Sequence, residues 1–538
     1  MYSTNAAGKE FGSYDERTAR MNSVMPLAFL RDEPTRAGTH PVCLVIPPSA
    51  FLLDERVFMS LGILKVAACL ERAGHRVEVL DLSGIENFLE VAELHVRTTH
   101  ARCVCLTSTT PQLPAAIDIA RRIRQVRPDV RLILGGPHVT LVHSATKFEQ
   151  KRGTVGRACA ALAILKNSFD VLVSGDGEKA IFLGLREDAP QLIDADDPRG
   201  GLFMTNQAYE ESPFPARHFA DIDSYHYTIE GRRATSLIAQ LGCPFGCGFC
   251  GGRQSKSLRM IRTRSWQSVV AELDMLHETY GYTGYMFYDD ELNVSPNLVA
   301  LMNGIADLQH RKGVDFRLRG FIKAELFTSD QAKAMYAAGF RWLLCGFEAA
   351  SPRILDNINK RATLEDNTRV LEIARRWNLK VKALMSIGHP GETEQSVAAI
   401  HDWLLSVHPD DFDCTIITTY PGTPYYDEAL PHPSDPDVWT YTCKRTGDRL
   451  HAYDIDFTKV AEYYKGKPGG GYKAYVFTDY LSSERIVVLR DWVESEVRSR
   501  LRIPFNSSAA AVRYEHSMGQ GMALPGFILR SSASVLGC

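Results

Sequence analysis

The sequence predicts an α/β protein. A parallel sheet covered by helices on both faces comes first, then a partial barrel of six βα repeats, then a small and mostly helical C-terminal region. Three observations carry this prediction. Short β-branched runs alternate with amphipathic helical segments from about residue 40 to 190, and the alternation restarts near residue 233 and repeats six times. At 538 residues the chain is also too long for one ordinary core, so two to four domains are expected.

Residues 1–38 are polar and aperiodic and read as an extension. In residues 39–194, Val42–Ile46 is a predicted strand, followed by a helix around Leu61–Ala73 and strands at Val77–Leu80 and Cys103–Leu106. Ala116, Ile119, Ile123 and Val126 recur at helical spacing, and Leu132–Leu134 and Val171–Val173 complete the strand set. Runs that are apolar throughout belong to strands buried on both faces, hence to a parallel sheet. Ligands of such sheets bind beyond the carboxyl ends of the strands. Thr107-Ser108-Thr109, Gly135-Gly136-Pro137-His138 and Gly175-Asp176-Gly177-Glu178 therefore share one rim. Residues 145–167 read as an insertion into this unit.

A Pro-, Asp- and Gly-rich linker spans residues 195–232, with Ser212-Pro213-Phe214-Pro215 as a rigid extended piece. The barrel occupies residues 233–428, with strands expected at Ser236–Gln240, Tyr285–Tyr288, Phe316–Gly320, Trp342–Gly346, Val381–Ile387 and Cys414–Thr418. Its first helix should start at an N-cap, Ser265, with Trp266, Val269, Val270, Leu273 and Leu276 on one face. Barrel active sites lie at the carboxyl ends of the strands. Residues 429–538 carry a Gly-rich bend at Pro468-Gly469-Gly470-Gly471 and a helix around Ser482–Leu501, and are expected to help choose the substrate. Tyr514, His516 and Met518 either line that site or pack a C-terminal subdomain.

A net charge of −3 offers no electrostatic case for a nucleic-acid or membrane partner. No apolar run approaches the length of a membrane span. The N-terminus, with Lys9, Glu10, Asp15 and Glu16 and no apolar segment, does not read as a secretory leader. Cys43, Cys69, Cys103, Cys105, Cys345 and Cys414 fall inside apolar segments and read as buried free thiols, which fits a reducing cytoplasm.

The chemistry concentrates in Cys243-Pro-Phe-Gly-Cys247-Gly-Phe-Cys250, at the end of the first barrel strand. Three thiolates can hold three irons of a [4Fe–4S] cluster and leave the fourth iron open to a substrate or cofactor. A structural zinc knuckle would need a fourth ligand, and the nearest downstream, His277, lies on a predicted helix. A disulfide would leave one of the three cysteines unpaired. Later strands end in Cys345-Gly346-Phe347-Glu348, in Ser386-Ile387-Gly388-His389-Pro390-Gly391-Glu392-Thr393 and in Tyr420-Pro421-Gly422-Thr423-Pro424. The acidic run Asp289-Asp290-Glu291 leaves the second strand on the same face and is either a solvated loop or part of the site. Lys323 and Arg319, assigned to the end of the third strand, can pair with these acids or with an anionic ligand.

Taken together, the cysteine loop and these strand ends resemble the barrel of the radical S-adenosylmethionine (SAM) superfamily, in the branch shared with methylthiotransferases. The resemblance implies that Cys243, Cys247 and Cys250 ligate the cluster and that SAM is cleaved to methionine and a 5′-deoxyadenosyl radical. It also implies that backbone around Phe249 contacts adenine, that Gly346 and Glu348 meet the SAM ribose or amino group, and that Gly388 borders the adenosyl moiety. Asp289 and Glu291 would add to the SAM site. The rim motifs of residues 40–190 are similar to those of the flavodoxin/Rossmann-like cobalamin-binding domain that precedes many radical SAM, TIM-like barrels. By that likeness, Thr107, Ser108, Thr109, Gly135, Gly136, Pro137, His138, Gly175, Asp176, Gly177 and Glu178 would hold cobalamin. The Asp-x-His-x-x-Gly loop that supplies a histidine to cobalt is missing from the sequence, and His138 is not expected to replace it.

The combined resemblance implies a cobalamin-dependent radical SAM methyltransferase. It would transfer a methyl group to an unactivated carbon of a small molecule or peptide, with an electron donor such as flavodoxin or ferredoxin. A cyclase or rearrangement enzyme without methyl transfer, or a non-enzymatic corrin or metal carrier, are the alternatives. A methylthiotransferase would need a second set of three cluster cysteines in its N-terminal domain, where only Cys103 and Cys105 pair up.

Overall fold

The computed structural model describes residues 40–49, 52, 55–461 and 472–504. The expected extension 1–38, the Pro468–Gly471 bend and Tyr514, His516 and Met518 lie outside them. The first sheet contains β1 (Val42–Ile46), β2 (Val77–Asp81), β3 (Cys103–Thr107), β4 (Arg131–Gly135), β5 (Val171–Gly175) and β6 (Leu192–Ala195). All its pairings are parallel, in the order β2-β1-β3-β4-β5-β6. Its two faces bury separate apolar clusters, as expected when helices cover both sides.

Strand β6 falls at the boundary set at residue 194, where a four-residue strand runs straight into the Asp-rich linker and leaves little periodicity to read. Residues 145–167 prove to be the second half of helix Pro137–Lys151 and most of helix Arg157–Ser168. The Glu149 carboxylate accepts from the backbone N–H groups of Gly156 (3.0 Å), Ala158 (3.0 Å) and Cys159 (2.9 Å). It thereby caps the second helix from the end of the first and complements its dipole. The apparent insertion is a helical hairpin built into the unit.

The barrel sheet follows. It contains β7 (Thr228–Ile229), β8 (Arg232–Leu237), β11 (Gly284–Phe287), β12 (Arg317–Ile322), β13 (Phe340–Glu348), β14 (Lys380–Ile387) and β15 (Asp411–Ile416). The order β15-β14-β13-β12-β11-β8-β7 is parallel except for β7, which pairs antiparallel with β8 at the edge. Six parallel strands in chain order make the expected open (βα)6 half-barrel. A short antiparallel pair, β9 (Gln240–Leu241) and β10 (Arg262–Thr263), brackets the cysteine loop. Helix Trp266–Tyr280 begins as expected at Ser265, whose hydroxyl accepts from Ser268 N–H, and ends at left-handed Gly281.

Beyond the barrel, the described residues depart from a mostly helical expectation. They form a four-stranded antiparallel sheet, β16 (Leu430–His432), β17 (Asp435–Thr442), β18 (Arg449–Tyr453) and β19 (Val476–Thr478), followed by helix Ser483–Leu501. Pro431, Pro436 and exposed polar residues break the alternation by which such strands are recognised. The helix closes the open edge of the barrel. Glu494 accepts from Cys414 N–H (2.7 Å) and Arg490 Nε donates to Cys414 C=O (2.8 Å), so side chains satisfy β15 where a further strand would have paired. No described helix is long and apolar enough to cross a membrane.

Candidate active site

The cysteine loop is held by backbone bonds from three other segments. Cys243 N–H donates to Leu258 C=O (3.0 Å), Gly248 N–H to Ile358 C=O (2.7 Å), and Tyr425 N–H to Gly248 C=O (3.2 Å). Gly248 lies flat against the Tyr425 ring, where any side chain would collide with it. Arg253 and Arg259 both donate to Phe245 C=O, and Asn359 Nδ2 to Gly246 C=O (2.9 Å). All three thiols are free. Burial pushes the Cys243 thiol up to about 12. Desolvated thiols become thiolates only beside a strong positive charge, so three of them on one anchored loop suit an iron–sulfur cluster.

The strand ends beside this loop converge on Glu348. A register shift between Gly346 and Glu348 breaks the β13–β14 ladder, and Glu348 takes a left-handed backbone (φ 66°). That bulge turns its carboxylate toward Lys360 Nζ (3.2 Å) and Ser386 Oγ (2.7 Å). Ser386 Oγ also meets His389 Nε2 at 2.8 Å, and the His389 ring packs edge-on against Phe249, 5.4 Å between centroids. Burial works against the charge on Lys360, but Glu348 foremost holds its ammonium well above the usual lysine range. Burial, with Lys360 adding to it, pulls His389 down to about 3.

Gly346 thus lies against the Glu348 carboxylate, and Phe249 is linked to it through His389 and Ser386. Gly388 lies at the turn after β14, against Val476 of β19. Burial raises Glu291 to about 7, with Lys360 and Lys323 the nearest cations opposing it.

Asp289 and Lys323 are engaged by protein groups, and Arg319 lies below the rim. Asp289 turns back beneath the strand ends, accepting from Ala239 N–H (3.1 Å) and Gln240 N–H (2.6 Å), so it braces the chain entering the cysteine loop. Burial raises its pKa to about 7 even though those donors oppose the shift. Lys323 is committed to Lys360 C=O (2.9 Å) and Glu325 (3.0 Å). Arg319 sits in the lower half of β12, level with Met286 and Trp342, and does not reach the rim. Lys360, Ser386 and His389 had been assigned no role. The last two stand inside a motif quoted for its shape, whereas Lys360 follows a short helix and carries no local signal.

At the rim of the first sheet a cavity of ≈ 240 Å³ opens. Thr107, Gly135, Gly136, Pro137, Gly175, Asp176, Gly177 and Glu178 line it; Ser108, Thr109 and His138 do not. Ser108 Oγ donates to Thr109 C=O, Thr109 caps the following turn, and His138 Nδ1 meets Thr110 Oγ1 at 3.0 Å. Burial pulls His138 down to about 4. Asp176 pairs with Arg262, which ties the rim to the barrel.

Leu44, Cys105, Ile133 and Val173 floor the cavity from one face of the sheet, and Ile238, Leu241, Leu258 and Arg264 wall it from the barrel side. An apolar slot of this size suits the aromatic base of a corrinoid tail, with glycines letting backbone approach it. Gly251, next to Cys250, and Gly422 both abut Leu141 of the helix that leaves this rim. Leu258, whose carbonyl accepts from Cys243 N–H, lines the cavity, so the cysteine loop and the cavity meet along one seam.

Comparison with known proteins agrees with this layout. Residues 237–404 match the family model of the radical SAM superfamily, and residues 55–180 match that of the B12 binding domain. The chain is a radical SAM enzyme with a B12-binding domain. It is 28% identical over 394 residues to an uncharacterised methyltransferase of Pyrococcus horikoshii, covering 72% of this chain and 83% of that one. It is 24% identical to the anaerobic magnesium-protoporphyrin IX monomethyl ester cyclase of Cereibacter sphaeroides, covering 60% of this chain and 52% of that one. This radical SAM chain thus spans about half the length of the cyclase. Among solved structures it matches the radical SAM methyltransferase TsrM of Kitasatospora setae, with a TM-score of 0.61 at 16% identity over 93% of this chain and 98% of that one. At that identity the likeness shows a shared fold.

The rim supplies a direct prediction. Gly136 has φ 94°, and a Cβ there would lie 2.6 Å from Thr107 Oγ1 and 2.8 Å from Ser108 N. Gly136→Ala is expected to destabilise the fold by about 1–3 kcal/mol and to lower the cobalamin retained after gel filtration several-fold. Full loading at wild-type stability would show that this turn does not cradle the corrinoid.

Proposed function

We propose that this chain is a cobalamin-dependent radical SAM methyltransferase, acting on an unactivated carbon of a small-molecule or peptide substrate. The seam between the B12-side cavity and the cysteine loop carries the reading, because methyl donor and radical must reach the same substrate atom. When bound, the cluster would supply the electron that cleaves SAM, and the corrinoid would supply the methyl group. Cys243, Cys247 and Cys250 would hold the cluster.

Glu348, oriented by Lys360 and Ser386, would accept a hydrogen bond from the SAM ribose or amino group. Phe249 and Gly388 would border the adenosyl moiety, and the rim glycines with Thr107 would face the corrinoid. Asp289 would fix the entry of the cysteine loop. A charge-assisted hydrogen bond contributes about 1.5–3 kcal/mol. Glu348→Gln is therefore expected to raise the KM for SAM ten-fold or more with iron content unchanged. An unaltered KM would remove Glu348 from the SAM site.

The proposal includes a reducing cytoplasm and an electron donor such as flavodoxin or ferredoxin. The free thiols of the described cysteines support that compartment. The identity to a cyclase supports a second reading, ring closure without methyl transfer. Anaerobic turnover separates the two. Methyl transfer requires both S-adenosylhomocysteine and 5′-deoxyadenosine, whereas deoxyadenosine alone would favour the cyclase.

A further inference from the structure

Away from the rim, on the amino-terminal half of the first sheet, three metal-ligating side chains converge from three elements. Cys43 is the second residue of β1 and pairs in register with Glu78 of β2. His95 reaches them from the last turn of helix Phe88–Thr98. Cys43 Sγ and His95 Nε2 are 3.4 Å apart, and His95 Nε2 and Glu78 Oε2 are 3.3 Å apart. All three ligand atoms lie within 4.8 Å of one another, and no other such group occurs among the described residues.

These separations match the edges of a tetrahedral zinc site. Zinc bonds of about 2.3 Å to sulfur and about 2.0–2.1 Å to nitrogen or oxygen set sulfur and nitrogen roughly 3.5 Å apart, and nitrogen and oxygen roughly 3.3 Å apart. Ordinary hydrogen bonding serves the cluster less well. One imidazole nitrogen, with one proton or one lone pair, faces both a thiol and a carboxylate, whereas a single cation satisfies all three. The donor set, one thiolate, one imidazole and one carboxylate, suits zinc and would leave the site neutral.

A surrounding hydrogen bond is also in place. Thr99 Oγ1 donates to Glu78 Oε2 at 2.5 Å and accepts from Ala101 N–H at 3.0 Å, which fixes the orientation of the carboxylate. Cys43 is fully buried, while His95 and Glu78 are partly exposed and leave an entry path for the ion. Burial and the Glu78 carboxylate raise the Cys43 thiol above its ordinary value, so metal uptake must expel its proton.

We infer that Cys43, Glu78 and His95 form a mononuclear zinc site that joins β1, β2 and helix Phe88–Thr98 of the first sheet, with its fourth position open to water on the exposed side of His95 and Glu78. It stands apart from the cluster and cobalamin sites and does not depend on the reaction proposed above.

The test uses the full chain with its cluster reconstituted, incubated with zinc sulfate and passed over a chelating resin, with zinc and iron counted by elemental mass spectrometry. About one zinc per chain is expected, falling at least five-fold in His95→Gln and in Glu78→Gln while iron stays unchanged. A zinc-dependent rise in melting temperature should appear in the wild type and vanish in both variants. The combined Cys243→Ala/Cys247→Ala/Cys250→Ala chain should still retain one zinc, which excludes misloading of the cysteine loop. Zinc content indifferent to His95→Gln and Glu78→Gln, or a wild type that retains none, would overturn the assignment.

Discussion

Cys247→Ala is expected to abolish SAM cleavage. Iron should fall from about four per chain to a trace, and 5′-deoxyadenosine to less than about one-hundredth of the wild-type yield, because two thiolates cannot hold a cluster that needs three. His389 is already engaged by Ser386, and Lys360 is a buried cation. Cobalamin retention separates this outcome from misfolding. The cavity at the rim of the first sheet, proposed to take cobalamin, is lined by residues outside the Cys243–Cys250 loop, so a folded Cys247→Ala chain should still bind cobalamin. A variant that loads cobalamin and still cleaves SAM would remove the loop from the radical chemistry.

The second large effect concerns stability. Glu272 of helix Trp266–Tyr280 pairs with Arg217, from the segment before the barrel, at 2.9 Å, and with Arg264 ahead of its own helix. Arg217 and Glu272 have side chains only 0% and 1% exposed. Arg217 also donates to Ser236 C=O (2.8 Å) and Arg264 to Ser268 C=O (3.0 Å), so the triad fastens linker, β8 and helix together. Glu272→Ala would leave two buried guanidinium groups without the carboxylate that pairs with both. Breaking a buried pair in this way costs about 3–5 kcal/mol, a large share of the roughly 5–15 kcal/mol that holds a domain folded. Urea unfolding should therefore show a sharply lower midpoint.

The same triad sets a pH dependence. Burial opposes the Glu272 charge, yet Arg264 and Arg217 outweigh it and hold the carboxyl at about 2. The ordinary glutamate value in an unfolded chain is about 4.3. A lowered folded-state pKa gives stability that is present above the unfolded value and lost as the pH falls through the folded one. Wild-type stability should thus fall between about pH 5 and pH 2, and more steeply than that of Glu272→Gln. Parallel slopes for the two chains would contradict the ion-pair account.

The features readable from the sequence are those whose signal lies within one element. Strands β1, β3, β4 and β5 of the first sheet announce themselves through short apolar runs, whereas β8 (Arg232–Leu237) is mostly polar and begins four residues before the expected Ser236; Ser265 marks its helix start by capping chemistry. The cysteine spacing states its donor count outright. Harder to read are elements with weak periodicity. Strand β6 has four residues, and β16 to β19 carry prolines and exposed polar side chains. The helix Arg157–Ser168 is so rich in alanine and polar residues that it resembles a loop-bearing insertion, and its cap, Glu149, belongs to the preceding helix.

At the site the same limit appears residue by residue. Glu348 could be picked out because it ends a strand in a Gly-x-Glu pattern, and the cysteines because three thiols cluster in eight residues. Lys360, the cation that compensates Glu348, is twelve residues away in sequence and reaches it only through a bulge in β13. Asp289 and Glu291 leave the same strand side by side, but the local backbone turns one back toward Ala239 and the other toward the lysines.

By itself the sequence determined the two-sheet α/β plan, the three-cysteine donor set and the rim positions of the glycine turns. Each of these is written in contiguous residues, where spacing alone records burial and donor count. Only the tertiary structure decided which cations meet which acids, that Leu258 joins the first-sheet cavity to the cysteine loop, and that Cys43, Glu78 and His95 converge. The reason is physical: strand register, bulges and sheet twist set those distances, and none of the three is encoded at any single position.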